Sequence, residues 1–197
     1  NVASSANNLA EIYRMLGRYD DAKPLYQRAM KVAEATMGPE NTLVAAAQDN
    51  LGELERVHGN YAAAEPLYQQ AIQLRESLLG AEHPDLALAL NHLAMLYSVQ
   101  NRPADAEPLY QRVLAIYRKA YGEQHALTAS AMSSLAEMYR GQEKYSLAEP
   151  LFEKALAIDD KVLGPQSPQS ATVRNGLALL YAAQNKPKDA EKNFQAA

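Results

Sequence analysis

The stretch that decides the fold is Tyr19–Ala29, with the sequence Tyr-Asp-Asp-Ala-Lys-Pro-Leu-Tyr-Gln-Arg-Ala, because it returns along the chain at a constant interval. It returns 42 residues later as Tyr61–Ala71, Tyr-Ala-Ala-Ala-Glu-Pro-Leu-Tyr-Gln-Gln-Ala. Further copies with the same step are Pro103–Val113, Tyr145–Ala155 and a degenerate Pro187–Ala197. A glycine series keeps the interval as well: Gly38, Gly80, Gly122 and Gly164. Two independent markers with one period indicate a repeat protein.

The repeat decides the domain organisation. A chain of 197 residues would otherwise suggest one or two globular domains. Repeat units contact mainly their neighbours, so we predict a single array without one central core. Its five units are residues 1–42, 43–84, 85–126, 127–168 and 169–197, the last one truncated. Since the chain begins at a repeat junction and stops inside a predicted helix, we interpret it as an excised fragment of a longer array.

Composition excludes several classes of function. The formal net charge of −4 and the pI of about 5.6 argue against binding to a nucleic-acid backbone. No apolar run approaches the roughly 18 residues of a membrane span, so we predict no membrane insertion. The absence of cysteine excludes disulfides and thiolate metal sites without choosing a compartment. We expect a cytoplasmic protein.

Each unit contains two helical patterns. In the third unit, Leu86, Leu90 and Leu93 follow the spacing of an amphipathic helix, with Asp85 as the expected N-cap. A second helix follows the turn and ends at Gly122, the expected residue after its C-terminus. Small residues allow the paired helices to approach closely, at Ala22, Ala64, Ala106, Ala148 and Ala190. Rings fill the space between them, at Tyr26, Tyr68, Tyr110, Phe152 and Phe194. We therefore predict an all-α fold of antiparallel helix pairs.

The pattern Leu-Ala-x-x-Tyr followed by Gly-x-Tyr-x-x-Ala-x-x-x-Tyr-x-x-Ala resembles the tetratricopeptide repeat. In the first unit its residues are Leu9, Ala10, Tyr13, Gly17, Tyr19, Ala22, Tyr26 and Ala29. The 42-residue length, the Ala106–Arg112 segment and the Leu-Gly-x-x-His-Pro-Asp loop at Leu79–Asp85 are similar to the kinesin light chain type. This resemblance covers essentially the whole chain. It implies a right-handed superhelical solenoid whose concave groove, lined by the first helices, holds an extended peptide.

One departure from the family pattern concerns a carboxylate. Glu55 stands where the other units have Tyr13, Tyr97, Tyr139 and Tyr181. Glu55 could be a functional carboxylate. We expect instead that it turns outward, near Arg56 or a neighbouring helix.

Candidate ligand-binding residues follow from helix geometry. At 100° per residue, one side of the first helix carries the core candidates Leu9, Ala10, Ile12, Tyr13 and Leu16. The opposite side faces solvent or a ligand, and across the units it holds Asn7, Asp49, Asn91, Ser133 and Asn175 in one row. The next row is Asn8, Asn50, His92, Ser134 and Gly176. An amide donates and accepts, so it can bond a peptide backbone. The alternative is that these side chains are solvated or bond to an adjacent helix.

A charged row lies beside the amides. Arg14, Arg56 and Arg140 each follow a glutamate by three residues, and where the glutamate is missing the arginine is missing too. This covariation favours an intrahelical ion pair worth about 0.2–0.5 kcal/mol. The second interpretation, that the arginines bind acidic ligand side chains, agrees with the family and is compatible with the first.

The third unit offers an apolar ligand anchor. It presents Leu88, Met95 and Val99 beside Asn91 and His92. Interfaces usually place their anchor in an apolar centre with polar groups around it. Arg56 and Arg140 in the flanking units would attract acidic residues of the same ligand. The alternative is that Leu88 and Val99 pack against the next repeat and leave Met95 isolated.

The sequence contains no pattern typical of catalysis or metal binding. Its four histidines lie in different places of the repeats, without a second ligand at helical spacing. It has no phosphate-binding glycine loop and no nucleophile–base grouping. We predict no cofactor and no enzyme activity, but a scaffold that binds a protein or peptide in its concave groove. The alternatives are a self-association module, for instance end to end, and the regulatory or sensor portion of a larger enzyme or signalling protein.

Overall fold

The computed structural model describes residues 2–197, and these form ten α-helices. The helices are α1 (Val2–Met15), α2 (Tyr19–Met37), α3 (Thr42–Val57), α4 (Tyr61–Leu79), α5 (Pro84–Val99), α6 (Pro103–Tyr121), α7 (Ala126–Gly141), α8 (Tyr145–Val162), α9 (Pro168–Ala183) and α10 (Pro187–Ala196). The prediction of an all-α fold with two helices per repeat is confirmed. None of the helices described is both long and apolar enough to cross a membrane.

The helices divide into two compact units, with the boundary between Gln100 and Asn101. In unit 1, α1 packs on α2 and α3 packs on α4, while α5 packs on α4. The first helices of successive repeats also touch, α1 with α3 and α3 with α5. In unit 2, α7 packs on α8 and α9 on α10, and α7 touches α9.

The predicted ring positions form the core in four of five repeats. Tyr26, Tyr68, Tyr110 and Phe152 are at most 4% exposed. The prediction is wrong for Phe194, which is 47% exposed, because α10 is short and no later helix of the described chain covers it.

The predicted core side of α1 is also partly wrong. Ala10 is buried, but Leu9, Ile12 and Leu16 are between 42% and 65% exposed. In α3 the residue equivalent to Leu9 is Leu51, which is buried in a cluster with the first helix pair. Burial of this position therefore depends on a preceding pair, and no pair precedes α1 in the described residues.

Loop residues set the helix ends. The helix α5 begins at Pro84 rather than after Asp85, because His83 is its N-cap and accepts a hydrogen bond from the Asp85 N–H at 3.1 Å. The glycine ends are confirmed: Gly122 follows Tyr121 with φ 86°, a conformation that favours glycine. Each turn within a pair contains a left-handed residue, at Gly17, Gly59, Asn101, Glu143 and Asn185.

Candidate functional site

The unit-1 face, defined as the sides of α1, α3 and α5 that carry the two predicted amide rows, is joined by a hydrogen bond between amides. Asn50 donates from Nδ2 to Oδ1 of Asn7 at 3.0 Å, which links α3 to α1. Both side chains remain partly exposed. The alternative that these amides bond to an adjacent helix therefore holds for this pair. Each amide has further hydrogen-bonding capacity on the surface.

Asp49 does not belong to the exposed row, and the prediction that it faces solvent or a ligand is wrong. Asp49 is only 1% exposed. Arg75 reaches it from α4, with Nη1 3.3 Å from Oδ2, and His92 reaches it from α5, with Nδ1 3.0 Å from Oδ1. Asp49 therefore holds α3, α4 and α5 together beneath the unit-1 face.

The same contacts set the charge of His92. Burial alone would lower the pKa of His92, but the hydrogen bond and charge of Asp49, assisted by Glu53, raise it. The imidazole also lies beside the Tyr68 ring, with 5.7 Å between ring centroids. His92 is therefore a partly covered imidazole whose protonated form the adjacent carboxylate stabilises.

The predicted glutamate–arginine pairs of α1 and α3 are present and have a third member. Arg56 Nε donates to Glu53 Oε2 at 2.8 Å, and Tyr68 Oη donates to the same oxygen at 2.8 Å. In the first repeat Arg14, Glu11 and Tyr26 repeat this arrangement, at 2.9 and 2.7 Å.

Hydrogen bonds to the glutamates change their ionisation. Arg14, followed by Tyr26, holds the pKa of Glu11 below its usual value against the effect of burial. Burial would raise the pKa of Glu53, but Arg56 and Tyr68 outweigh it and lower that pKa. The predicted intrahelical pairs are thus confirmed, and both arginines keep part of their surface exposed, 28% for Arg14 and 18% for Arg56.

The helix α5 supplies the apolar part of the unit-1 face. Leu88 is 47% and Val99 is 51% exposed, so neither is packed away as the alternative interpretation required. Met95 lies between them on the same side and is half-buried, with Asn91 Nδ2 3.5 Å from its sulfur.

The unit-2 face, the corresponding side of α7 and α9, is less charged. Arg140 donates from Nε to Glu137 Oε2 at 2.9 Å, as predicted. The ring of this repeat is Phe152, which has no hydroxyl for Glu137, and that glutamate side chain is 51% exposed. Asn175 is exposed on α9, while Ser133 and Ser134 are half-buried on α7.

Comparison with known families decides the identity of the repeat. The tetratricopeptide repeat model matches residues 1–77, 43–119, 85–161 and 128–197, which together span the chain. The chain belongs to the tetratricopeptide repeat family. The predicted resemblance to this family is confirmed. The structural neighbours include kinesin light chain-like proteins, as the predicted type requires. Tetratricopeptide repeat proteins bind protein partners, and they are generally interaction scaffolds without catalytic activity.

Solved structures of several other proteins share this fold. BtubC (BKLC) from P. vanneervenii superposes with a TM-score of 0.85 at 23% identity, over 98% of this chain and 76% of that one. A protein assigned as a kinesin light chain with nearly identical TPR-like repeats, from Podosopora anserina, gives 0.80 at 24% identity, over 98% and 92%. The type IV pilus biogenesis factor PilW gives 0.74 at 19% identity, over 100% and 76%. No curated protein matches the chain significantly.

Within the tetratricopeptide repeat pattern, Glu55 also differs from its prediction. It is 5% exposed rather than turned outward, and Lys23 of the preceding repeat lies 2.6 Å from it. Asn60 Nδ2 donates to its other oxygen at 2.9 Å. The sequence contained one signal for this pair, since Lys23 stands where the other four repeats have a glutamate.

Sequence reasoning also missed residues that complete the unit-1 face from the second helices. These are Arg75, which neutralises Asp49, and the hydroxyls of Tyr26 and Tyr68. Arg75 carries no repeat signal, because the equivalent residues are Ala33, Tyr117 and Asp159.

Proposed function

We propose that this chain is a protein-interaction scaffold whose unit-1 face and unit-2 face each bind an extended segment of a partner protein. The residues proposed to contact it are Asn7, Asn8, Arg14, Asn50, Arg56, Leu88, Asn91, His92, Met95, Val99, Arg140 and Asn175. Asp49 has an indirect role, since it is buried and fixes Arg75 and His92.

The observation that carries the proposal is the exposed apolar side of α5. The leucines on the opposite side of this helix, Leu86, Leu90, Leu93 and Leu96, are at most 5% exposed. Leu88 and Val99 are about half exposed on the side of Met95, next to the amide of Asn91. Clustered apolar surface with polar groups around it is typical of a protein-binding site.

The polar side chains suit an extended ligand. A peptide in extended conformation presents N–H and C=O groups that the remaining capacity of Asn50 and Asn91 can bond without regard to ligand sequence. The exposed edges of Arg14 and Arg56 would attract ligand carboxylates, although Glu11 and Glu53 already occupy part of each guanidinium. We therefore expect affinity from the apolar anchor and orientation from the polar groups.

Peptides selected from a random display library on the wild-type chain provide the test. Met95→Glu should weaken the selected peptides by more than about tenfold, which is about 1.4 kcal/mol. Leu78→Glu is the matched control, because Leu78 is 39% exposed on the second helix α4 and lies outside the unit-1 face. Equal binding by wild type and a folded Met95→Glu variant would contradict the apolar anchor.

Self-association is the second candidate, favoured by two other apolar surfaces. One is the exposed side of α1 with Leu9 and Ile12, together with Leu16 just after the helix. The other is an open pocket of about 510 Å³ in unit 2, lined by residues that include Ala190 and Phe194. The former could dock onto the latter in a second copy, as α3 docks onto the first helix pair. Light scattering across a concentration series tests this, and a constant monomer mass would contradict it.

A further inference from the structure

Asp159 of α8 is a buried acid with an unsatisfied carboxylate oxygen. The residue is 2% exposed, and its Oδ1 makes no hydrogen bond within residues 2–197. Burying a polar atom without a partner is costly, and such atoms are uncommon in folded proteins. The carboxylate of Asp159 therefore requires an explanation.

The repeat itself shows which partner is missing. Two repeats, or 84 residues, separate Asp159 from its equivalent Arg75 in unit 1. There Arg75 meets the carboxylate of Asp49, and His92 bonds the same carboxylate. The unit-2 residues equivalent to Asp49 and His92 are Ser133 and Gly176. At these three positions unit 1 carries two basic groups and an acid, whereas unit 2 carries the acid alone.

Arg174 of unit 2, which binds the residue after Asp159, is engaged elsewhere. Arg174 Nη2 donates to both oxygens of the neighbouring Asp160, at 2.8 and 2.7 Å, and its Nη1 donates to the Pro165 carbonyl at 2.6 Å. Burial, followed by the charge of Asp160, raises the pKa of Asp159. Asp159 thus has a like charge beside it and no counter-charge that lowers its pKa.

We propose that Asp159 binds a basic side chain, lysine or arginine, of the partner segment on the unit-2 face. This inference rests on the proposed function and names one feature of its ligand. The positions equivalent to Asp49 and His92 carry short side chains here, and Ser133 is partly exposed. Gly176 cannot gain a side chain without moving Phe152, because an added Cβ would lie 2.7 Å from that ring. A long basic side chain can pass short residues with its apolar stem and place only its charged end at the carboxylate.

In the test, peptides are selected from a random display library on the wild-type chain. Their affinities for wild type and for Asp159→Asn are then compared. We expect a lysine or arginine at a fixed peptide position, and at least tenfold weaker binding to Asp159→Asn. Replacing that peptide residue by norleucine or citrulline should weaken binding to wild type by the same factor and leave binding to Asp159→Asn unchanged. Glu153→Gln is the matched control, since Glu153 is an exposed carboxylate of the same helix.

Two further measurements separate this inference from the proposed function. Selected peptides that all bind wild type and Asp159→Asn equally would overturn the role of Asp159 alone. A library that yields no binder would contradict the proposed function and this inference with it. Loss of the fold is checked by melting, since Asp159→Asn should melt at or above the wild-type temperature at neutral pH. The carboxyl ¹³C signal of Asp159 should titrate at lower pH when a basic peptide is bound, and an unchanged titration would count against the contact.

Discussion

Lys23 Nζ on α2 lies 2.6 Å from Oε1 of Glu55 on α3, across the interface between the first two repeats. At the next interface the equivalent residues are Glu65 and Tyr97, and the tyrosine hydroxyl donates to the glutamate at 3.0 Å. Both members of the contact have changed together, so that one donor–acceptor pair replaces another. The interface is therefore held by a specific contact whose chemistry differs from repeat to repeat.

We expect the two members of this pair to be energetically coupled. Lys23→Glu alone places two carboxylates together and should lower the free energy of unfolding by about 1–3 kcal/mol, since Glu55 is nearly buried. Adding Glu55→Tyr recreates the Glu65–Tyr97 pair and should restore most of the loss. Urea unfolding of wild type, both single variants and the double variant gives the coupling energy. A coupling near zero would show that the contact contributes nothing.

The hydroxyl of Tyr68 makes a separate contribution to stability. Tyr68→Phe removes only the hydrogen bond to ionised Glu53 and should cost about 1.5–3 kcal/mol. Tyr68→Ala also leaves a cavity in the core and should cost about 3–5 kcal/mol. The control is Tyr61→Phe at the partly exposed start of α4, expected within about 0.5 kcal/mol of wild type. If Tyr68→Phe and Tyr61→Phe have the same free energy of unfolding, the hydrogen bond to Glu53 does not stabilise the chain.

Stability should depend on pH through His92. The contact with Asp49 raises the pKa of His92 in the folded chain above the unfolded value of about 6.5. The stabilisation is therefore complete below about pH 6.5 and is lost as pH rises through the folded pKa.

His92→Asn, which copies the residue at Asn50, tests this dependence. It should lower the melting temperature more at about pH 6 than at about pH 9, because deprotonation of the wild-type imidazole removes the stabilising charge. A deficit of the same size at both values would show that His92 acts through packing alone.

The turn before α8 contains a residue with an unfavourable backbone conformation. Glu143 has φ 60°, whereas two of the equivalent turns have asparagine, with φ 57° at Asn101 and at Asn185, and the other two have glycine. Left-handed conformation costs most residues roughly 1–2 kcal/mol, and asparagine less. Glu143→Asn should therefore raise the free energy of unfolding by about 0.5–1 kcal/mol. The reverse change, Asn101→Glu, should destabilise by a similar amount, and thermal melts that show no opposite shifts would refute this.

The fold was predictable from the sequence because residues of the same type recur at each packing position in successive repeats. The burial of Tyr26, Tyr68 and Phe152 follows from a ring that recurs at one place in the pattern. The candidate site was less predictable, because its decisive contacts occur once. Helix periodicity puts Asp49 on the unit-1 face, but only a long side chain from another helix, Arg75, removes it from solvent.

Glu55 is a second residue whose burial could not be predicted from its own position in the repeat. A carboxylate in place of a tyrosine suggests exposure when it is considered alone. Its burial depends on Lys23, 32 residues earlier and also a departure from the pattern. Paired departures in adjacent repeats are the signal that sequence reasoning could have used.

The most direct test of ligand binding at the unit-1 face uses the six methionines of the chain as reporters. Their ¹³C-methyl signals are recorded while a peptide selected on the wild-type chain is added. We expect the Met95 signal to shift most, and buried Met132 to remain in place. Met37, which is 45% exposed at the end of α2 and away from the face, should also stay unchanged. A saturable shift of Met37 with no change at Met95 would contradict the proposed site.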